Sequence, residues 1–391
     1  MLCQYVLHGK WRILLAFAAV LISALPWRHR RIIRIGAAGL AAGVIWFTVC
    51  AAVFLTPMET LAGSEEEVCV ELLDYAEETD SGVRCKVKAV TPVRWGTAMY
   101  YGSDVLLYLE PGDRVRAAVK YYSAASLAGE ESTYFTSQGI YYRLYASWEQ
   151  PVASGNADSW RYLPQRLAKQ LRDTAAEIYP QNVSGFLTAL LTGERDGLDL
   201  RTSNDLSEAG LMHITAVSGL HCGFLITVLG LLVLNRQKPA LLLGYPVLLL
   251  YMVMVGCTPS VVRSCIMVGF VLLAPLLNRE SDPLTSLSGA LLVILLANPF
   301  AAASVSLQMS FAAAAGLLLF SPKIYAALQE YRPRFAWIPR RVWGFFLRTI
   351  SGSFAVMILT APLNALYFGS LSLVSPLANL LVLWMMSCLF S

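Results

Sequence analysis

Charge is scarce in this chain. Only 14% of its 391 residues are Asp, Glu, Lys or Arg, against about 25% in an ordinary soluble domain. That deficit excludes a wholly solvated globular fold. Histidine is rarer still, with four residues, His8, His29, His213 and His221, and none beyond position 221. A metal-dependent hydrolytic centre rich in histidine is therefore excluded from residues 222–391. The eight cysteines show no metal-ligand spacing. Cys3, Cys50, Cys222, Cys257, Cys265 and Cys388 lie in or beside apolar runs, where a thiol behaves as a small hydrophobe. Internal repeats are absent, so an inverted-repeat transporter is not indicated. A net charge of +4 is too small to argue for a nucleic-acid partner by itself.

Apolar sequence fills the gap. Hydrophobic residues make up 56% of the chain, and several runs approach the roughly 20 residues that cross a bilayer. The composition predicts a mainly α polytopic membrane protein. Residues 1–57 hold two membrane helices, at 11–27 and 35–57. The link RHRRIIR between them is cytoplasmic by the positive-inside rule, which puts the N-terminus outside. Residues 58–159 are polar and read as β. GVRCKVKAV (82–90) alternates with period two, the mark of a half-buried strand. EVCVELLDY, DVLLYLE, RVRAAVKYY and GIYYRLYAS are further strand candidates, and PGD at 111–113 is a turn. Five short strands suit a small OB-like barrel. Cys69 and Cys85 fall in this region, and a disulfide joins them only if it is extracytoplasmic and their side chains face each other. Arg84, Lys86, Lys88, Arg94, Trp95, Tyr100, Tyr101, Arg114, Arg116, Lys120, Tyr121 and Tyr122 offer the basic and aromatic groups with which such barrels hold single strands. The acidic cluster Glu65–Glu67, Glu77, Glu78 and Asp80 weighs against DNA contact, and a scaffold role stands beside it.

Residues 160–209 read as juxtamembrane helices. The segment 160–179 is amphipathic, with Leu163, Leu167, Leu171, Ala175 and Ile178 on one stripe. The apolar piece 183–191 is too short to span and ends at Gly193, before Glu194, Arg195 and Asp196. Residues 210–391 form the bundle, with segments at 211–234, 241–256, 261–277, 284–297, 305–320, 350–368 and 374–390. That gives about nine membrane segments in all. If 211–234 runs inward, the connections NRQKP, LNRESDP and 322–348 are cytoplasmic, while CTPS, NPFAAAS and GSLSL are outside. All loop lysines and arginines of the bundle then share one side, and the β region is extracytoplasmic.

The bundle opens on GLMHITAVSGLHCGF (210–224), which carries His213, Ser218, Gly219 and His221. Ionisable groups in membrane helices are costly and face a bundle interior or a water path. Ser218 and His221 lie three apart on one helix, and neighbours so placed rarely achieve nucleophile–base geometry. Proteolysis is therefore the weakest reading. His213 and His221, eight apart with no acid or thiol cluster, fall short of a metal site. Arg263 sits inside an apolar helix and needs a partner or water.

These residues lie in stretches that resemble the ComEC-type competence family. AVSGLH after GL-x-H resembles its signature, and LLTGERDGL, with Glu194 and Arg195, resembles its G-E-R/K-x-x-L stretch. GCTPSVVRSCIM resembles G-x-x-P-S-x-x-R-A-x-x-M, with Ser264 where alanine is usual. LLANPF, QMSFAAAAG from Gln308, and ALYFGSLSLVSPLANLL continue the likeness, as do LEPGDRVRA and TYFTSQGIYYRLYAS in the β region. The resemblance implies an inner-membrane channel passing single-stranded DNA to the cytoplasm, with an external OB-like domain and no cofactor. It implies an external DNA receptor and a cytoplasmic helicase-type motor as partners, and membrane lipid around a possible homo-oligomer. His213, Ser218, Gly219, His221, Arg263, Glu194, Arg195 and Gln308 are the expected path residues. The nuclease domain of many family members is not in this chain, so no enzyme activity is expected. The chain stops one residue past an apolar run, and a longer native protein is expected. A small-solute transporter is the alternative.

Overall fold

The computed structural model describes residues 30–79, 82–91, 96–127, 130–153, 159–193, 197–208, 219–232, 244–274, 277–330 and 340–369. It divides into two units, Met1–Gln165 with Val293–Ser304, and Arg166–Leu292 with Val305–Ser391.

In the first unit, helix α1 (Arg30–Cys50) passes through one π-helical segment (Ala51–Leu55) into α2 (Thr56–Leu61). The stretch Arg34–Leu61 is long and apolar enough to cross a membrane. The helix was expected to stop at Pro57 and instead runs four residues further. Pro57 sits just after the π segment, and the helix continues past it at the loss of one backbone bond. The π segment inserts an extra residue into the turn. Phe54 within it stacks on Tyr141 at 4.7 Å, and Met58 after it is buried.

The barrel follows. Its strands are β1 (Glu65–Leu72), β2 (Glu77–Thr79), β3 (Gly82–Thr91), β4 (Thr97–Gly102), β5 (Arg114–Ser123), a small hairpin of β6 (Ser126–Leu127) and β7 (Glu130–Glu131), and β8 (Ile140–Ala153). The ladder runs β1-β5-β8-β4-β3 and closes because β3 also pairs with β1. All these pairings are antiparallel except β4 with β8. A five-stranded closed barrel of this order is OB-like. Alternation decides which side chains fill it: Val83, Cys85, Val87 and Ala89 of β3 point inward, with Val68, Val70 and Leu72 from β1 and Val115, Ala117 and Val119 from β5. Closure leaves no unpaired edge in the ring.

One strand expectation needs correction. DVLLYLE is a 3₁₀ turn (Asp104–Tyr108), not a strand. The Ser103 hydroxyl accepts from the Val105 N–H and caps the turn. Only Leu106 of the apolar run is fully buried, while Val105 and Tyr108 face solvent. The fifth strand is β4, whose Ala98, Met99 and Tyr100 are buried in succession. Tyr100 donates to the Glu149 carboxylate at 2.8 Å, and burial with that acceptor pushes its phenol well up.

Cys69 and Cys85 are both free thiols. The register sets Cys69 opposite Thr91 and Val87 opposite Leu72. Cys85 is thus some five rungs from Cys69, about 16 Å along the strands, far beyond the roughly 7 Å that a bridge allows. Cys85 instead donates to the Asp74 carbonyl at 3.1 Å, and burial pushes its thiol up.

The segment Val293–Ser304 belongs to the same unit. It holds the end of a helix and a 3₁₀ turn (Pro299–Ala303). The Asn298 side chain accepts from the Phe300 N–H at 3.0 Å and donates to the carbonyls of Thr136 and Ser137 at 3.2 and 3.1 Å. Those carbonyls belong to α3 (Tyr134–Ser137), just before β8. Phe300 is fully buried against Phe47 and Tyr141, ring centroids 5.3 and 6.1 Å away. Asn298→Ala removes both donated bonds and the cap. It is expected to cost about 1–3 kcal/mol and lower the melting temperature of the purified full chain by several degrees in a fluorescence-monitored thermal scan. An unchanged melting temperature would refute this account of the asparagine.

After β8, a 3₁₀ turn (Trp160–Tyr162) leads into α4 (Leu163–Ile178). Tyr162 is seated on the PGD turn, where a Cβ at Gly112 would lie 2.8 Å from its ring. Its hydroxyl donates to Glu71 at 2.7 Å, and burial together with that bond pushes the phenol up to about 12.

The second unit is helical. α5 (Gln181–Thr192) ends as expected at Gly193, which takes a left-handed φ of 78° and donates its N–H to the Ala189 carbonyl. Next come α6 (Leu200–Glu208), α7 (Gly219–Leu232), α8 (Tyr245–Met254), α9 (Pro259–Leu273) and α10 (Pro283–Ala297, whose last turn lies in the first unit). α11 (Val305–Glu330) and α12 (Arg340–Phe368) complete the described chain. Val305–Gln329 and Trp343–Phe368 are long and apolar enough to span a membrane. With Arg34–Leu61 they make three such helices among the described residues. The two ends that face each other along the chain differ from expectation: α11 passes through Pro322 to Glu330, and α12 begins at Arg340 rather than at 350. A proline inside a helix removes one backbone bond without forcing a stop. The expected segment 374–390 lies outside the described residues.

Candidate functional site

The polar residues of the second unit lie along two contacts, one where α7 and α11 pack on α9 and one where α12 packs on α11. α9 starts on Pro259, which suits a first helical turn. In its second turn Arg263 lies between Val262 and Ser264, partly buried. Serines soften the surroundings: Ser264 donates back to the Ser260 carbonyl at 2.9 Å, and Ser260 donates to the Ser310 hydroxyl of α11 at 2.9 Å.

Arg263 reaches the same residue. Its Nη1 donates to the Ser310 backbone carbonyl at 2.9 Å, and its guanidinium lies 5.9 Å from the Phe311 ring centre. Its Nε is buried without a hydrogen-bond partner, and no carboxylate pairs with it among the described residues. A cation held by a carbonyl and a ring face keeps its charge uncompensated, which leaves it able to attract an anion.

Gly219 explains how α7 comes so close. A Cβ there would lie 2.9 Å from Ser264 Oγ and 3.6 Å from Arg263 Nη2. A larger residue would crowd the Ser264 hydroxyl, while the arginine is at ordinary contact distance. Two residues on, His221 is half-buried, and Cys222 is fully buried with Val261 and Cys265 of α9 and Leu248 of α8. Gln308, two residues before Ser310, accepts from the Tyr367 hydroxyl of α12 at 2.7 Å. Tyr251 of α8 donates to the Leu191 carbonyl, tying the short apolar α5 to the bundle at 3.1 Å.

The structure thus brings Gly219 of α7 against α9 beside Arg263, and Arg263 onto Ser310 of α11, whereas Gln308 meets Tyr367 of α12 and His221 lies half-buried on α7. His213, Ser218, Glu194 and Arg195 lie outside the described residues. Sequence reading missed Ser260, Ser310, Phe311 and Tyr367. Serines four apart on α9 and one in QMSF were the available signal, but their roles follow from helix packing. Among the described residues no group of three His, Cys, Asp or Glu is placed to hold a metal ion.

Comparison with known proteins bears on this cluster. The family model described as "Competence protein" matches residues 190–391, which contain all of it. The chain is 28% identical over 262 residues to ComE operon protein 3 of Bacillus subtilis, covering 61% of this chain and 32% of that protein. It is 27% identical over 222 residues to Recombination protein 2 of Haemophilus influenzae, covering 54% and 28%. It is 22% identical over 368 residues to the uncharacterized protein YcaI of Escherichia coli, covering 87% and 45%. The chain spans less than half the length of each of these relatives. No solved structure matches it.

Proposed function

This chain belongs to the competence protein family, and from that premise we propose that it forms an inner-membrane channel passing single-stranded DNA into the cytoplasm during natural transformation. The observation that carries the reading is Arg263, an intramembrane cation with no carboxylate partner among the described residues, held by the Ser310 carbonyl beside Gly219. A passing phosphate would exchange with that neutral carbonyl more easily than with a carboxylate, because the carbonyl carries no full charge to displace. The Ser260 and Ser310 hydroxyls and Gln308 would supply neutral polar contacts to the strand. His213, Ser218 and His221 would continue the path along the start of α7, and Glu194 and Arg195 would stand near its mouth.

We place the protein in the bacterial inner membrane as a multi-pass chain with its N-terminus and barrel outside. Packing of the 298–303 turn against α3 supports this orientation: loop charges assign both NPFAAAS and the β region to the outer face, and the two are in contact. In this role the channel works with an external DNA receptor and a cytoplasmic helicase-type motor, in lipid and as a monomer or homo-oligomer.

The test is delivery of labelled DNA to the cytoplasm of cells lacking this protein, with and without the wild-type gene restored. DNA that binds outside and enters only in complemented cells supports the channel. Entry in deleted cells at the parental rate overturns it and favours transport of a small solute.

A further inference from the structure

Arg263 sets an electrostatic problem that the bundle's own side chains do not solve. Beyond Glu208 the sequence holds three carboxylates, Glu280, Asp282 and Glu330. Glu280 and Asp282 are exposed and follow the far end of α9. That end, Leu273, is already about 15 Å along the helix from Arg263. Glu330 closes α11, about 30 Å along its helix from Ser310. Helix geometry therefore keeps all three away from the guanidinium.

The guanidinium is also only partly used. Nη1 donates to the Ser310 carbonyl, and the Phe311 ring centre lies at 5.9 Å. Nε is buried without a hydrogen-bond partner, and Nη2 donates to no described residue. Nε and Nη2 form one edge of the planar fork, the edge whose two parallel N–H groups hold an oxyanion side-on. Glycine at 219 puts no side chain in front of Nη2, where even a Cβ would lie 3.6 Å away. Ser310 adds a further donor. Its hydroxyl accepts from Ser260, and one bond between two hydroxyls consumes one of their two protons. The Ser310 proton is therefore still to be given, on the residue whose carbonyl already holds the arginine.

We propose that Arg263 and the Ser310 hydroxyl bind a small inorganic anion, chloride or phosphate, where α7 and α11 pack on α9. A buried charge without a counter-charge is costly, and an exchangeable anion removes that cost without fixing a carboxylate in the bundle. Arg263 lies about 6 Å along α9 from its Pro259 end, beside which Gly256 and Cys257 are exposed, so the way in from water is short. A fixed carboxylate would hold the arginine permanently, whereas a bound anion gives way to a strand's phosphate. That exchange rests on the channel reading; the anion site itself does not.

The experiment is fluorescence-monitored thermal unfolding of the purified full chain in lipid nanodiscs, titrated with chloride or inorganic phosphate against gluconate at constant ionic strength. Gluconate is the reference because its anion is bulky. The wild type should gain on the order of 2 °C at about ten times the dissociation constant. Arg263→Leu should melt cooperatively and show no such gain. General salt effects act on both chains alike, so the difference between them reports the site. Ser310→Ala keeps the carbonyl and loses the hydroxyl, and it should raise the titration midpoint about threefold or more. A gain with phosphate alone marks an oxyanion site and a gain with both anions a less selective one; either supports the proposal. Equal melting of the wild type in all three salts overturns it, as does the same gain in Arg263→Leu. An unchanged midpoint in Ser310→Ala overturns the two-residue site. The channel and the anion site fail separately. An anion gain that needs Arg263, in a protein whose deletion leaves DNA uptake intact, would sink the channel alone. Uptake that needs Arg263, with no anion gain, would sink the anion site alone.

Discussion

Gly316→Val is expected to abolish the folded bundle. α11 and α12 approach closely at this point: a Cβ on Gly316 would lie 2.5 Å from the Ala355 carbonyl oxygen and 3.3 Å from Val356 Cα. Both neighbours are backbone, and Ala355 is itself fully buried, so no side chain can swing aside. The helices must separate along the pair, giving up the contacts that small residues make possible where lipid supplies no hydrophobic drive. The cost should exceed the ~1–3 kcal/mol of ordinary overpacking. Size-exclusion profiles of the full chain extracted in mild detergent should show no monodisperse peak for Gly316→Val and a reduced one for Gly316→Ala. A wild-type profile for the valine variant would contradict the packing described here. The contrast with Gly223 and Gly352 is useful. Nothing lies within 4 Å of a Cβ on Gly223, and one at Gly352 would meet the end of Leu317 at 3.4 Å. Alanine at either site should be tolerated.

Arg263→Leu is the largest expected functional effect. Leucine removes an uncompensated cation from an apolar helix, so protein level and melting temperature should hold or rise. DNA entry, however, should fall roughly tenfold or more, the equivalent of losing one charge-assisted contact of about 1.5–3 kcal/mol. Arg263→Lys keeps the charge but not the planar fork that reaches Ser310 and lies near Phe311, and it should fall between. Entry at the wild-type level in Arg263→Leu cells with normal protein would remove Arg263 from the path. A matching fall in protein level and entry would make it a structural residue.

Where sequence reading succeeded, the signal was periodic. Residues 82–90 alternate because one face of β3 fills the barrel and the other meets water, and that pattern is visible without a fold. Gly193 ends α5 because only a left-handed residue closes that turn cheaply. β4 was invisible because Ala98, Met99 and Tyr100 are all buried, which erases alternation. DVLLYLE misled for the opposite reason: an apolar run suits a strand or a turn, and the Ser103 cap decides between them. Pro322 misled because a long helix fixed along its length by a neighbour survives one lost bond.

The sequence by itself determined the class of molecule: apolar runs with few charges specify membrane helices, and a polar alternating stretch specifies a small β domain. It also marked Arg263, since a charge in an apolar helix stands out in any register. Tertiary structure alone decided what Arg263 touches, because the Ser310 carbonyl is a backbone group with no sequence signature and is brought there by the crossing of α9 and α11. Folding likewise determined which of the barrel's cations face a carboxylate and which of its rings reach solvent. Those residues are alike in sequence and differ only in which strand faces them, since a carboxylate opposite a cation cancels it and a one-residue shift in register turns a ring from solvent into the core.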